Sequence, residues 1–224
     1  SLIHPRSMSN FTDKEIVKLS KDLFNSPVVM FESGIMSAVL YTDIIRDSFK
    51  INPNHALGYS MGEVSMLFAL DVWHDMDEIH ENIIDSQFFK SRVSGSMKNV
   101  IEAWKLTEDE HKNKKFWYSY KLSETPEAVR RELKKDRDIS KGRSAYLIFV
   151  NTQQEVVIGG YDRACRRVIK NLGCSYQEVP VSDIIHSELV KPDYEELLNL
   201  HRLPVNKVEN IDFYSAFNFA PIVM

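Results

Sequence analysis

The stretch Gly58-Tyr59-Ser60-Met61-Gly62-Glu63 constrains this chain more than any other. Gly58-x-Ser60-x-Gly62 has the spacing of a nucleophile elbow, a serine on a sharp turn between a buried strand and a helix. Such a turn is crowded, so its flanking positions favour residues without a Cβ. It lifts the serine oxygen above the sheet edge and aims the following backbone N–H groups at a neighbouring carbonyl oxygen. Good helix formers fill residues 61–70. The motif therefore predicts a strand over 55–59, a turn at Ser60 and a helix beyond it.

Around the motif the chain reads as a run of helices. Thr12-x-x-Glu15 is a capping box, followed by Ile16, Leu19 and Leu23 at helical spacing. Ser26-Pro27 starts a second helix, expected to reach about residue 47, with Val28, Phe31, Ile35, Val39 and Ile44 on its apolar side. Asn52-Pro53-Asn54 is a turn. Two further helices are expected over 75–85 and 86–106, then a solvated connector over 107–115.

The next seventy or so residues change character. Residues 116–122 are aromatic and strand-like, and Thr125-Pro126-Glu127 opens a charged helix to about 136. Two β-rich runs, 146–151 and 155–158, flank Thr152-Gln153-Gln154 as a hairpin. Asp162 can cap a helix that Gly173 ends, and 176–181 is a fourth strand. The order βαββαβ is that of a ferredoxin-like unit, compact enough to be an insertion. Beyond it come a loop over 182–187, a short helix over 192–201 and a strand over 211–217.

Composition narrows the function classes. With 224 residues, one domain with an insertion is expected. A net charge of −4 argues against nucleic acid or a membrane surface as partner. Cys165 and Cys174 give no disulfide framework or metal spacing and suit a reducing compartment. The longest apolar stretch, over 27–40, is interrupted by Glu32 and Ser33 and reads as too short for a bilayer. With no signal-peptide pattern at the start, a cytoplasmic location is expected.

Taken together, the elbow serine, the inserted unit and a loop histidine resemble the malonyl-CoA:acyl-carrier-protein transacylase family, which includes the acyltransferase domains of polyketide and fatty-acid synthases. Gly58-Tyr59-Ser60-Met61-Gly62-Glu63 resembles the family's G-H-S-x-G-E, with tyrosine replacing histidine. Residues 151–160, Asn151-Thr152 through Gly159-Gly160, look like its N-[ST]-P-x-x-V-V-I-[SA]-G. His186-Ser187 matches the pair that supplies its base, and 208–217 resembles the strand leading to its P-V-x-S-N segment. Phe116-Trp117-x-Ser119-Tyr120 and Cys165-Arg166-Arg167-Val168-Ile169 are most similar to acyltransferase components of polyunsaturated fatty acid synthases. The family's opening G-Q-G segment and its helical end have no counterpart, so an incomplete large subdomain is expected.

The resemblance implies an α/β fold. Its α/β-hydrolase-like core would occupy 1–114 and 183–224, and its ferredoxin-like subdomain 115–182. It implies transfer of an acyl group from coenzyme A, through an ester on Ser60, to the phosphopantetheine thiol of an acyl carrier protein. Acyl-CoA is a substrate, and no permanently bound cofactor or metal is expected. Other synthase domains or subunits are the remaining expected partners. A serine hydroxyl needs a base, and His186 is the choice among seven histidines. His55 is expected to pack, and His74, His80, His111 and His201 to be solvated. The N–H of Met61 would stabilise the oxyanion. Asp183 precedes His186, so an acid-assisted triad stays open beside a dyad held by backbone carbonyls.

By the same resemblance Arg92 corresponds to the arginine that grips a malonyl carboxylate, and Asn151 to a substrate contact. A surface arginine is the plain alternative for Arg92. Ile185 stands where malonyl-selective members often carry phenylalanine, which leaves the acyl group open. Arg163, Arg166, Arg167 and Lys170 recur at helical spacing and form a basic face that could dock an acidic carrier protein, or could simply be solvated. An esterase or thioesterase using Ser60 and His186 with water, and a non-catalytic synthase component, are the competing classes.

Overall fold

The computed structural model describes residues 10–24, 26–112, 114–140, 142–181 and 184–223. Helix α1 (Asp13–Phe24) starts where the sequence places its capping box: Thr12 and Glu15 exchange side-chain and backbone hydrogen bonds. Helix α2 (Pro27–Asp43) follows with Ser26 as cap and proline in its first turn, then continues as a π turn over Ile44–Ser48. Strand β1 (His55–Leu57) leads into α3 (Met61–Ala69), and Asp75 caps α4 (Met76–Asp85) by accepting from the Glu78 N–H.

The expected helix over 86–106 is broken. A π turn covers Phe88–Arg92 and α5 begins only at Lys98 (Lys98–Trp104). Gly95 and Met97 lie at φ 57° and 48°, outside the helical region, and a Cβ on Gly95 would come within 2.4 Å of the Lys90 carbonyl oxygen. The expected connector holds one turn of helix, α6 (Glu108–His111), closed by a capping box between Thr107 and Glu110.

From here the chain runs through β2 (Tyr118–Leu122), α7 (Pro126–Ser140), β3 (Ala145–Thr152), β4 (Glu155–Gly160), α8 (Asp162–Leu172) and β5 (Tyr176–Val179). The expected βαββαβ order is present. The strands form one antiparallel sheet in the order β3-β4-β2-β5. A 3-10 segment, Glu188–Asp193, precedes α9 (Tyr194–Leu200), and β6 (Asp212–Ser215) and β7 (Ala220–Pro221) close the described chain.

Two compact units result. One comprises 1–86 with 198–224, the other 87–197. In the first, β1 pairs in parallel with β6, which pairs antiparallel with β7. Its core gathers Ile35, Met66, Phe68, Val72, Ile79, Ile83 and Phe213. The second unit is larger than the expected 115–182 because 87–114 and 184–197 pack into it. The Ile184 N–H donates to Val93 O, and Trp104 stacks on Trp117, which stacks on Tyr146. The sheet packs its inner face on α7 and α8 through Tyr120, Leu122, Val129, Leu133, Val156, Ile158 and Val168.

Helix α2 departs from one sequence expectation. With its π turn it makes a continuous helical stretch, Val28–Ser48, of 21 residues and mean hydropathy 1.5. That is long and apolar enough to cross a membrane by length and composition alone, because the π turn adds Ile44 and Ile45 beyond the run read from sequence. The same stretch packs against α3 through the fully buried Ile35, while Met36, Leu40, Tyr41, Ile44 and Ile45 are exposed.

Candidate active site

Ser60 joins β1 to α3 at φ 55°, ψ −124°. Positive φ is uncommon for a non-glycine residue and concentrates at functional turns. The Ser60 hydroxyl does not cap the helix, although Ser60 is its N-cap residue. The turn is closed by backbone instead: Gly62 N–H donates to Tyr59 O at 2.9 Å and Glu63 N–H to Ser60 O at 3.0 Å. Among the described residues the N–H of Met61 has no backbone acceptor. It stands at the first position of α3, where the helix dipole is positive.

The two glycines of the motif differ. A Cβ on Gly58 would lie 2.2–2.3 Å from Gly62 C and O and Glu63 N, so the strand can approach the helix only as glycine. A Cβ on Gly62 meets nothing within 4 Å. The sequence expectation that both flanks need glycine therefore holds for Gly58 alone.

His186, Arg92, Asn151 and the basic residues of α8 belong to the second unit. His186 is exposed in the loop before the 3-10 segment, with Phe149 of β3 at 4.8 Å between ring centroids. Ser187 anchors the loop: its hydroxyl donates to Ile184 O at 2.7 Å and accepts from the Leu189 N–H. Asp183 lies outside the described residues.

The chain can now be set beside known proteins. No family model matches it. It is 24% identical over 221 residues, 96% of its length, to one of the polyunsaturated fatty acid synthase subunits of Thraustochytrium sp.. Its fold matches FabD of Acinetobacter baumannii at a TM-score of 0.69 and 16% identity, covering 95% of this chain and 62% of that one. The acyltransferase domain from the second module of the salinomycin polyketide synthase follows at 0.63 and 15%, covering 90% and 42%. A malonyl-transacylase solved in complex with its type II acyl carrier protein gives 0.67 and 17%, over 91% and 60%. The chain has the acyltransferase fold. The resemblance read from its motifs is borne out. The chain spans about a tenth of the Thraustochytrium protein and 42–62% of these solved acyltransferases.

On this acyltransferase fold the remaining predicted residues divide. Arg92 is engaged: Nε donates to both Asp193 carboxylate oxygens at 3.1 Å and Nη1 to Glu102 Oε1 at 2.8 Å. The hydrogen bond to Asp193 leads the causes that raise its pKa. Asn151 donates to Glu155 Oε1 at 3.0 Å across the β3–β4 hairpin. On α8, Arg166 pairs with Asp162 at 2.9 Å and Arg167 with the buried Asp136 at 2.7 Å. Arg163 and Lys170 are exposed and, among the described residues, unpaired. His55, expected to pack, is instead exposed and 3.4 Å from Asp212, because β1 is an edge strand.

Two residues escaped the sequence reading. Glu63 carries the elbow helix to the end of β6, accepting from Ser215 Oγ at 3.2 Å and the Ala216 N–H at 2.8 Å. The only signal was its place in the motif. Gly34 on α2 makes room for the Met61 side chain, whose Cε would lie 2.5 Å from a Cβ there. A glycine inside an otherwise good helix was the available clue.

Proposed function

We propose that this chain is the acyl-transferring part of a synthase, moving an acyl group from coenzyme A to the phosphopantetheine thiol of an acyl carrier protein. The βαββαβ sheet is then the ferredoxin-like subdomain and the Ser60 unit the α/β-hydrolase-like core. The observation that carries the reading is the backbone of Ser60, held at positive φ on the turn between strand and helix.

Ser60 Oγ attacks the thioester carbonyl while His186 takes its proton. The C–S bond breaks, coenzyme A leaves with that proton, and an acyl-Ser60 ester remains. In the second half-reaction His186 deprotonates the carrier thiol, which attacks the ester; the C–O bond breaks and Ser60 regains a proton. The Met61 N–H, with the dipole of α3 behind it, stabilises the oxyanion in both halves. Arg163 and Lys170 are the α8 residues left to meet an acidic carrier, and other synthase components assemble with the chain in the cytoplasm.

The test is a two-step assay on the full chain: radiolabelled acyl-CoA first, then carrier protein bearing phosphopantetheine. Label moving to the carrier, and slowed in both steps by His186→Ala, supports the proposal. Release of free acid at one rate with or without carrier makes the chain a hydrolase.

A further inference from the structure

His186 is exposed, yet the backbone on both sides of it is held within the second unit. Two residues before it, the fully buried Ile184 donates its N–H to Val93 O at 2.9 Å. One residue after it, the buried Ser187 donates its hydroxyl to Ile184 O at 2.7 Å and accepts from the Leu189 N–H. Glu188, next in the chain, pairs with Arg137 of α7 at 2.9 Å. These contacts fix where the Cα of His186 stands. They do not by themselves fix its ring, which turns about χ1 and χ2.

The ring meets Phe149. The two ring centroids are 4.8 Å apart and the planes tilt by 54°. Aromatic pairs at such a separation are stabilised beyond the area they bury. Phe149 comes to this place through an irregularity in β3. Leu147 stands opposite Ile158 of β4 and Phe149 opposite Val157, so two residues of β3 advance against one of β4. A regular strand would turn Phe149 to the same face as Leu147, which packs on the core under α7 and α8. A bulge breaks that alternation and re-aims a side chain, and bulges gather at sheet edges and beside active sites. β3 is an edge strand of its sheet.

We infer that Phe149, re-aimed by the bulge in β3, is a positioning residue that sets the orientation of the His186 imidazole. This rests on the reading of His186 as the base and adds a residue to it. Phe149 carries no acid or base group, so it acts only through the ring it faces. The pair lies wholly inside the second unit.

The test reads ring and rate separately on the full chain. Histidine ring protons are followed by NMR with labelled histidine, and the His186 signal among the seven is assigned by its loss in His186→Gln. Phe149→Leu keeps an apolar side chain but removes the aromatic ring current, so the His186 signal should move while the other six stay. Labelling of Ser60 by acetyl-CoA in a single turnover should slow by about two- to tenfold, the range of one aromatic pair. The loss should fall on the maximal rate and leave KM unchanged. Phe149→Tyr, which keeps the ring, should restore both signal and rate. A His186 signal indifferent to Phe149→Leu, or labelling as fast as wild type, overturns the inference and leaves acyl transfer standing. Equal slowing in Phe149→Leu and Phe149→Tyr overturns it too, because the ring is then not the cause. Wild type that takes no label overturns the acyl-transfer reading and this role with it.

Discussion

The two units solve different problems. In the second, a four-stranded sheet lays its apolar face on α7 and α8, with Leu122, Val156, Ile158 and Val168 fully buried. In the first, a three-stranded sheet leaves β1 at its edge, with Leu57 68% and Tyr59 51% exposed beside the elbow. The exposure continues over Leu40, Tyr41, Phe49 and Ile51. A cleft of about 610 Å³ lined by Ile45, Ile51, Leu57, Gly58, Ser65 and Met66 lies there. One region closes its own core. The other holds a strained serine on a thin scaffold, which fits the general pattern that strain and low local stability gather where chemistry happens.

The largest effect that would break this contrast concerns the serine. Ser60→Ala should abolish acyl labelling, by more than about a thousandfold, while the thermal midpoint moves by no more than a degree or two. The side chain makes no cap hydrogen bond to α3, so its loss leaves the start of that helix intact. A large drop in the midpoint would make Ser60 a structural residue.

Leu122→Ala is the mirror image. The side chain is 0% exposed in the closed core, so its loss should cost about 2–5 kcal/mol by denaturant unfolding. Labelling per folded molecule should stay near wild type. Gly58→Ala should cost both properties, about 2 kcal/mol or more together with labelling, because its Cβ meets backbone. Gly62→Ala, with open space around it, should change stability by less than about 1 kcal/mol. Equal effects at the two glycines would remove the account of the elbow turn.

The smallest effect is electrostatic. Hydrogen bonds from Arg143 and the Thr107 N–H lower the Glu110 pKa from 4.5 to about 2. A depressed carboxylate stabilises the fold above its unfolded value and loses that contribution as pH falls through the folded one. The midpoint difference between wild type and Glu110→Gln should therefore be present at pH 7, shrink between pH 4.5 and 2, and be small because the group is exposed and screened. A difference that grows toward acid would contradict this assignment.

What the sequence could show was local. The elbow was legible because glycine, serine and glycine act within five residues, and the βαββαβ order because each element carries its own period and stop, as Gly173 does at φ 63°. The break at Gly95 to Met97 was hidden, since Met97 adopts a left-handed conformation that its side chain does not advertise. The pairing of Arg92 with Asp193 was hidden because the two are 101 residues apart in sequence. Glu63 and Ser215, 152 apart, were hidden for the same reason. Long-range polar pairing has no sequence period, so it emerges only from the fold.

The central claim, that Ser60 carries the acyl group, is tested most directly by peptide mass mapping of the full chain after a brief incubation with acyl-CoA thioesters. The account predicts one added acyl mass on the peptide containing Ser60, absent in Ser60→Ala and discharged by a carrier thiol. An unmodified Ser60 peptide, or an acyl mass on another residue that survives Ser60→Ala, would contradict it.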